Sequence, residues 1–418
     1  MNSPKALVRM ALLAAVAVFV AGCATRAARP GSQTVTVFIS SWAGLEQLPA
    51  QAAVVRSARS LGPCVWLLLG NVFSDHVWAG LADGEAEVVL LSAAGVDAVV
   101  FGPEWLEFGF DRMRWLVDRA GFYILGANVS DSLGGTVGHP FMLKRYLGTS
   151  LGLLGVWLDS TDYRLGLVQV KYAVPDFVVR KVLPLIRPQT GLVGVAVRPL
   201  GDVPKWNVDF LVGAERDDMI AALPSKHGMT RLSLVVSDGR VTEYARTDVG
   251  LDGIAADSRV TAVLDSIRTV LDSAGAVGVC RLGQTMSPAA MSRVLVKGML
   301  RQGPDGFLSD GELVRDTIST GLLTTRALIE ALVNPGRLAM VRLSGQDLKA
   351  LLEDKSVSVE WRTGLRGQKL VLHRQYSMTM TLDFYARHSN LHRFGYELAA
   401  EPLWRAAARI LARTGQGS

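Results

Sequence analysis

Apolar positions along this chain fall into two alternating rhythms. Residues 35–39, 65–69 and 98–101 are short, almost unbroken apolar runs, the pattern of strands buried on both faces. Between them, residues 51–61 and 85–94 place apolar side chains at helical spacing, and Gly95 supplies a stop for the second helix. The alternation continues through 112–120, 123–127, 151–157, 177–185, 192–197 and 208–212. A β-α-β rhythm of this kind predicts packed α/β layers with buried, mainly apolar strands.

The rhythm then changes. Residues 229–236 and 240–246 flank Asp238-Gly239, a strong hairpin signal. Residues 258–271 set Val260, Val263, Leu264, Ile267, Val270 and Leu271 on one face, so an amphipathic connector helix is predicted there. Ser287-Pro288 reads as cap and first turn of a helix running to about Arg301, and Ser344 with Asp347 opens a shorter one after a strand at 338–343. A second, α+β domain is therefore expected over 275–418, after a first domain over 34–257 and the connector at 258–274.

The first residues follow neither rhythm. Residues 1–9 carry Lys5 and Arg9 and no acid, residues 10–20 are uninterruptedly apolar, and Val20-Ala21-Gly22-Cys23 follows at once. The apolar run is well short of the roughly 20 residues a membrane span needs, so it reads as an export signal. The small residues before Cys23 resemble the lipobox of bacterial lipoproteins. That implies removal of residues 1–22, acylation of Cys23, a tether over 23–33, and a lipid-anchored place in the bacterial cell envelope, on its periplasmic or surface side.

Composition narrows the picture further. With Cys23 spent on lipid, only Cys64 and Cys280 remain, so an exported chain of 418 residues must take its stability from core burial rather than from a disulfide framework. The formal charge of +6 falls to +4 once Lys5 and Arg9 leave with the signal. The basic residues are scattered and not interleaved with aromatics, which argues against a nucleic-acid partner.

The candidate chemistry lies in residues 84–110, GEAEVVLLSAAGVDAVVFGPEWLEFGF, where Gly102 opens a loop at the carboxyl end of a predicted parallel strand. This stretch, with Ala127-Asn128-Val129, residues 208–213, RLSLVVSDGRV at 231–241 and MVRLSGQDLKALLE at 340–353, resembles bacterial 5′-nucleotidases. The resemblance covers essentially all of residues 34–400. It implies a layered α/β/β/α metallophosphoesterase-like domain, a connector helix, and a smaller α+β nucleotide-recognition domain.

Two-metal hydrolysis needs ligands holding two cations about 3.5–4 Å apart, with a bridging carboxylate. At the positions the resemblance assigns to that work, the residue types have changed. The first-strand Asp-x-His falls on Ser40 and Trp42, and the bridging aspartate on Asn71. The Gly-Asn-His-Glu-Phe-Asp loop falls on residues 102–107, placing Pro103 at a metal-binding asparagine, Glu104 at the catalytic histidine and Glu107 at the orienting aspartate. A Ser-His pair becomes Arg198-Pro199, and Gly-His-x-His becomes a run containing Glu215, Arg216 and Asp217. Hydroxyl, indole and amide groups are poor replacements for carboxylates and imidazoles. His76, His139 and His227 match no ligand position, and His388 with His392, spaced i to i+4, lacks a third ligand nearby.

The second domain departs in the same way. An Asn-Ser-Gly-Gly-Ile-Arg motif falls on 310–315, where Arg315 keeps its charge as a candidate substrate-binding residue while the glycine pair is lost. A Pro-Phe-x-Asn motif falls on 333–336, and a Gly-Gly-Asp-Gly-Tyr loop on about 388–392. Phe384, Tyr385 and Phe394 could stack a planar ligand or simply pack a core.

Three readings follow. A lipoprotein of 5′-nucleotidase ancestry without catalysis or cofactor would bind an envelope or host protein, or a small ligand between its domains. A remodelled hydrolase would gather Glu104, Glu107, Glu215 and Asp217 beside Asn71 around one Ca²⁺ or Mg²⁺, unless Arg198 or Arg216 sits among those acids as an internal counter-ion. A solute-binding lipoprotein would close its domains on a nucleoside about the connector helix.

Overall fold

A computed structural model describes residues 32–415 except 42–43, 71, 74–75, 132, 159–169, 226–227, 302, 334–335, 364, 366–367, 392 and 395. The readings placed on Cys23, Trp42, Asn71, His227 and His392, and on the side chains of His76 and Pro103, lie outside the described residues.

The first sheet orders its strands β13-β12-β1-β2-β3-β4. Here β1 is Gln33–Ser40, β2 Cys64–Leu68, β3 Ala98–Val100, β4 Tyr123–Leu125, β12 Gly228–Ser237 and β13 Arg240–Gly250. β1 to β4 run parallel and β12 pairs antiparallel with β1. The helices between them are α1 (Leu48–Leu61), α2 (His76–Ala82), α3 (Glu85–Ala94) and α4 (Phe110–Arg119). α3 spans the residues its periodicity predicts, and Gly95 ends it in the left-handed region at φ 79°. α1 starts three residues earlier than the apolar pattern suggests, because Pro49 fits the first turn of a helix, where no N–H is needed. The hairpin β12–β13 turns on Asp238 and Gly239, both at positive φ (52° and 71°), as its sequence requires.

The second sheet has the order β11-β10-β9-β7-β6. Its strands are β6 (Phe141–Tyr146), β7 (Thr149–Trp157), β9 (Leu192–Arg198), β10 (Phe210–Val212) and β11 (Ala221–Ala222). A small pair, β5 (Val129–Asp131) with β8 (Val170–Tyr172), stands beside it, and α5 (Pro175–Ile186) covers its outer face. Alternation along the strands builds the layers. Val35, Val37 and Ile39 of β1 meet Leu151, Leu153 and Phe210 between the two sheets, whereas Phe38 and Trp66 face Ala52, Leu91 and Leu116 on the helices. The result is α/β/β/α layering.

α6 (Ser258–Gly275) follows, capped by Asp257, whose carboxylate accepts from the Arg259 and Val260 N–H groups and pairs with Arg56. Val260 and Leu264 pack it into the first domain's core. A two-stranded pair comes next, β14 (Gly278–Leu282) with β16 (Gly321–Thr324). The last sheet orders β18-β15-β19-β17-β20, namely β15 (Gly306–Ser309), β17 (Arg337–Ser344), β18 (Ser358–Trp361), β19 (Gln375–Thr381) and β20 (Tyr396–Pro402). One of its cores lies against α7 (Pro288–Leu300), α8 (Thr325–Ala331) and α11 (Leu403–Gly415), the other against α9 (Gly345–Leu351) and α10 (Leu382–Arg387). Ser287 and Ser344 cap their helices through side-chain oxygens, as their spacing predicts.

The two halves of the chain are joined by more than the connector. The Trp404 indole donates to the Gly80 carbonyl at 3.0 Å, Arg405 pairs with Asp83 at 3.4 Å, and Arg326 of α8 pairs with Asp272 of α6 at 2.5 Å.

Candidate functional site

The parallel strands of both sheets deliver their carboxyl ends to one edge. Ser40 ends β1, the loop 102–107 follows β3, Asn128 follows β4, Trp157 ends β7, Arg198 ends β9, and Gly213 opens the turn after β10. This is the edge where open α/β sheets bind ligands.

Its centre holds a buried ion pair. Gly102 is followed by a 3-10 turn over Pro103–Phe108 that directs Glu104 inward, and the Arg198 guanidinium donates to the Glu104 carboxylate at 2.6 Å. The Glu104 side chain is 2% exposed and that of Arg198 13%. Arg198 also lies over the Trp157 ring, 5.5 Å from its centroid, so an aromatic face backs the cation. Both groups press on Gly102, where a Cβ would stand 1.9 Å from Arg198 Nη1 and 2.2 Å from Glu104 Oε2.

The neighbouring positions are committed internally. Ser40 is fully buried, and its hydroxyl accepts a hydrogen bond from the Trp66 indole at 2.8 Å. Asn128 exchanges hydrogen bonds with the Trp157 main chain, donating at 2.7 Å and accepting at 2.8 Å, and donates to the Ala173 carbonyl at 3.2 Å. Trp105 is buried against Phe73 in an edge contact with centroids 4.9 Å apart. Its indole nitrogen has no hydrogen-bond partner among the described residues.

The four acids do not converge. Glu104 is buried against Arg198, while Glu107, Glu215 and Asp217 are exposed, and among the described residues no group of three or more His, Cys, Asp or Glu side chains could hold a metal ion. Arg216 turns away as well, holding Asp218 at 2.8 Å and the Val203 carbonyl at 2.7 Å. At the described positions Glu104 already has a cation, Ser40 is a neutral acceptor, and Pro199 is an exposed proline joined to Arg198 by a cis bond.

Elsewhere, His139 makes an edge contact with Tyr123 at 5.0 Å, and His388 stacks on Phe384 at 4.1 Å. Phe384 and Tyr385 are core residues at 1% exposure each. Arg315 donates to the Leu332 carbonyl at 3.0 Å, just beyond the end of α8, where a cation complements the helix terminus. Motif matching does not single out Trp66 or Trp157, because both lie inside strands whose apolar character already explains them.

No family profile and no curated protein matches the sequence. Solved structures do match its architecture. A 5′-nucleotidase precursor from Thermus thermophilus shares 13% identity over 92% of this chain and 97% of its own, with a TM-score of 0.56. A putative 5′-nucleotidase from Staphylococcus aureus shares 12% identity with the same coverage and a TM-score of 0.60. The NAD nucleotidase of Haemophilus influenzae shares 11%, again over 92% and 97%, with a TM-score of 0.52. Identities this low speak for fold alone, and it is the two-domain 5′-nucleotidase-like metallophosphoesterase fold that this chain has across nearly its whole length.

Proposed function

We propose that the protein is a lipid-anchored member of the bacterial envelope that retains a 5′-nucleotidase-like body and acts by binding a protein partner rather than by hydrolysing phosphoesters. The Arg198–Glu104 pair carries this reading. It sets an internal cation and a compensated carboxylate where the fold's chemistry calls for an activated water between metals. Displacing either member alone would leave the other's charge buried and unmatched, which costs about 3–5 kcal/mol.

The contacts between the halves favour a protein partner over a solute held by domain closure. Trp404 on Gly80, Arg405 on Asp83 and Arg326 on Asp272 span the junction on which a hinge would have to open. A cavity of ≈ 450 Å³ lined by Lys205, Trp206, Asp209 and Ile220 lies wholly within the first domain.

The test uses protein lacking residues 1–23, assayed with a phosphomonoester and with nucleotides in Mn²⁺, Co²⁺, Zn²⁺, Mg²⁺ or Ca²⁺. The outcome expected is no turnover above background, and metal-dependent turnover would end the proposal. Thermal-shift screening separates the rest: a nucleoside response without cation would favour solute binding, a cation response a remodelled site, and silence a protein partner.

A further inference from the structure

The edge of the first domain opposite the Arg198–Glu104 pair displays leucines that the fold does not use. Leu147 is 96% exposed at the tip of the tight β6–β7 turn, Leu61 is 79% exposed where α1 ends, and Leu185 is 59% exposed at the end of α5. Tight turns ordinarily take polar residues, Gly or Pro, and Gly148 already supplies the positive φ (83°) this turn requires. Leu147 therefore contributes nothing to turn geometry or to core.

The same edge is where the amino-terminal segment joins the domain. β1 begins at Gln33, whose side-chain amide donates to the Leu147 carbonyl at 2.8 Å, and Tyr146 donates to the Cys64 carbonyl at 2.8 Å. These bonds set the leucine turn beside both the start of β1 and the turn that carries Leu61. Only nine residues, 24–32, separate Cys23 from Gln33, a reach of at most about 35 Å. Two exposed arginines, Arg145 beside the leucine turn and Arg240 in the β12–β13 hairpin that opposes Gln33, add positive charge.

We propose that this edge, built around Leu147, Leu61 and Leu185 with Arg145 and Arg240, rests on the anionic surface of the bilayer that holds the anchor. The leucines enter the boundary between headgroups and acyl chains while the guanidinium groups meet lipid phosphates. The proposal rests on the reading of Cys23 as lipidated. It adds an orientation: the edge bearing Arg198 faces away from the membrane, toward partners.

The experiment reconstitutes the full lipidated chain, with Cys280→Ser, into vesicles of phosphatidylglycerol and phosphatidylethanolamine. An environment-sensitive fluorophore is placed at Leu147→Cys or, as a control on the opposite edge, at the exposed Leu200→Cys, and brominated acyl chains serve as quenchers. Quenching at 147 at least twofold stronger than at 200 is expected, and equal quenching overturns the proposal. Should metabolic palmitate labelling find no acyl group on Cys23, the anchor reading fails separately. The edge is then judged by flotation of the chain lacking residues 1–23 with the same vesicles. A several-fold loss of flotation in Leu147→Ser/Leu61→Ser supports the edge, whereas no flotation, or flotation indifferent to those changes, overturns it.

Discussion

Arg198 and Glu104 meet at 2.6 Å directly over Gly102, joining the end of β9 to the loop after β3 in one buried pair. Removing one partner leaves the other charged and desolvated. Arg198→Ala is therefore expected to lose about 3–5 kcal/mol, while Arg198→Met with Glu104→Leu recovers most of that loss. Urea denaturation of Arg198→Met, Glu104→Leu and the double variant measures the coupling, and additive losses would dismiss the pair as a unit.

Gly102 has an extended backbone that any residue adopts, at φ −135°, so a change there acts through contact alone. Gly102→Ala forces the guanidinium and the carboxylate to move and should lose about 1–3 kcal/mol. In an Arg198→Ala background the same change should cost clearly less, as read from shifts in denaturation midpoint.

Two of the buried indoles near the site, Trp66 and Trp105, differ in one respect. Trp66 donates to Ser40, whereas the Trp105 nitrogen has no partner among the described residues. Trp66→Phe sacrifices a hydrogen bond and leaves the Ser40 hydroxyl without that donor, while Trp105→Phe removes a donor that no described residue accepts. The first should be less stable than the second by about 1 kcal/mol in parallel urea titrations.

Burial pushes the Cys64 thiol up from 9.0 to about 12. A folded-state value above the unfolded one means that its contribution to stability is complete below pH 9 and is lost as pH rises from 9 toward 12. The limiting slope is about 1.4 kcal/mol per pH unit for one group. Tyr146, raised chiefly by burial as well, adds in the same direction. Denaturation midpoints between pH 8 and 11 should fall less steeply in Cys64→Ala than in the parent chain.

Trp404→Phe combined with Arg405→Ala removes two polar ties between α11 and the first domain. Calorimetry should then resolve two melting transitions where the parent gives one. A single transition in the variant would show that the remaining contacts, the Arg326–Asp272 pair among them, suffice to couple the domains.

Much of the scaffold was legible because it rests on periodicity. α3, its Gly95 stop, the Asp238-Gly239 hairpin and the Ser287 and Ser344 caps follow from local rules that tertiary packing does not overturn. The site was legible only as a set of residue types unlike those the resemblance calls for. That Glu104 turns inward while Glu107 stays exposed depends on the 3-10 turn 103–108, and the choice of Arg198 over Arg216 as counter-ion depends on which strand end lies against Gly102. The roles of Trp66 and Trp157 were hidden for a related reason. A tryptophan in an apolar strand reads as core, and the indole N–H or ring face it offers to a neighbour 26 or 41 positions away leaves no local trace.

The tie between Trp404 and Gly80 has a consequence for the order of assembly. Every element of the first domain precedes α11, so that domain can bury its core while the later residues are still being made. The junction is completed only when the last helix arrives. A chain that loses α11 would keep a folded amino-terminal half that lacks the Trp404 and Arg405 ties, leaving α6 and its Arg326–Asp272 pair to hold the second half in place.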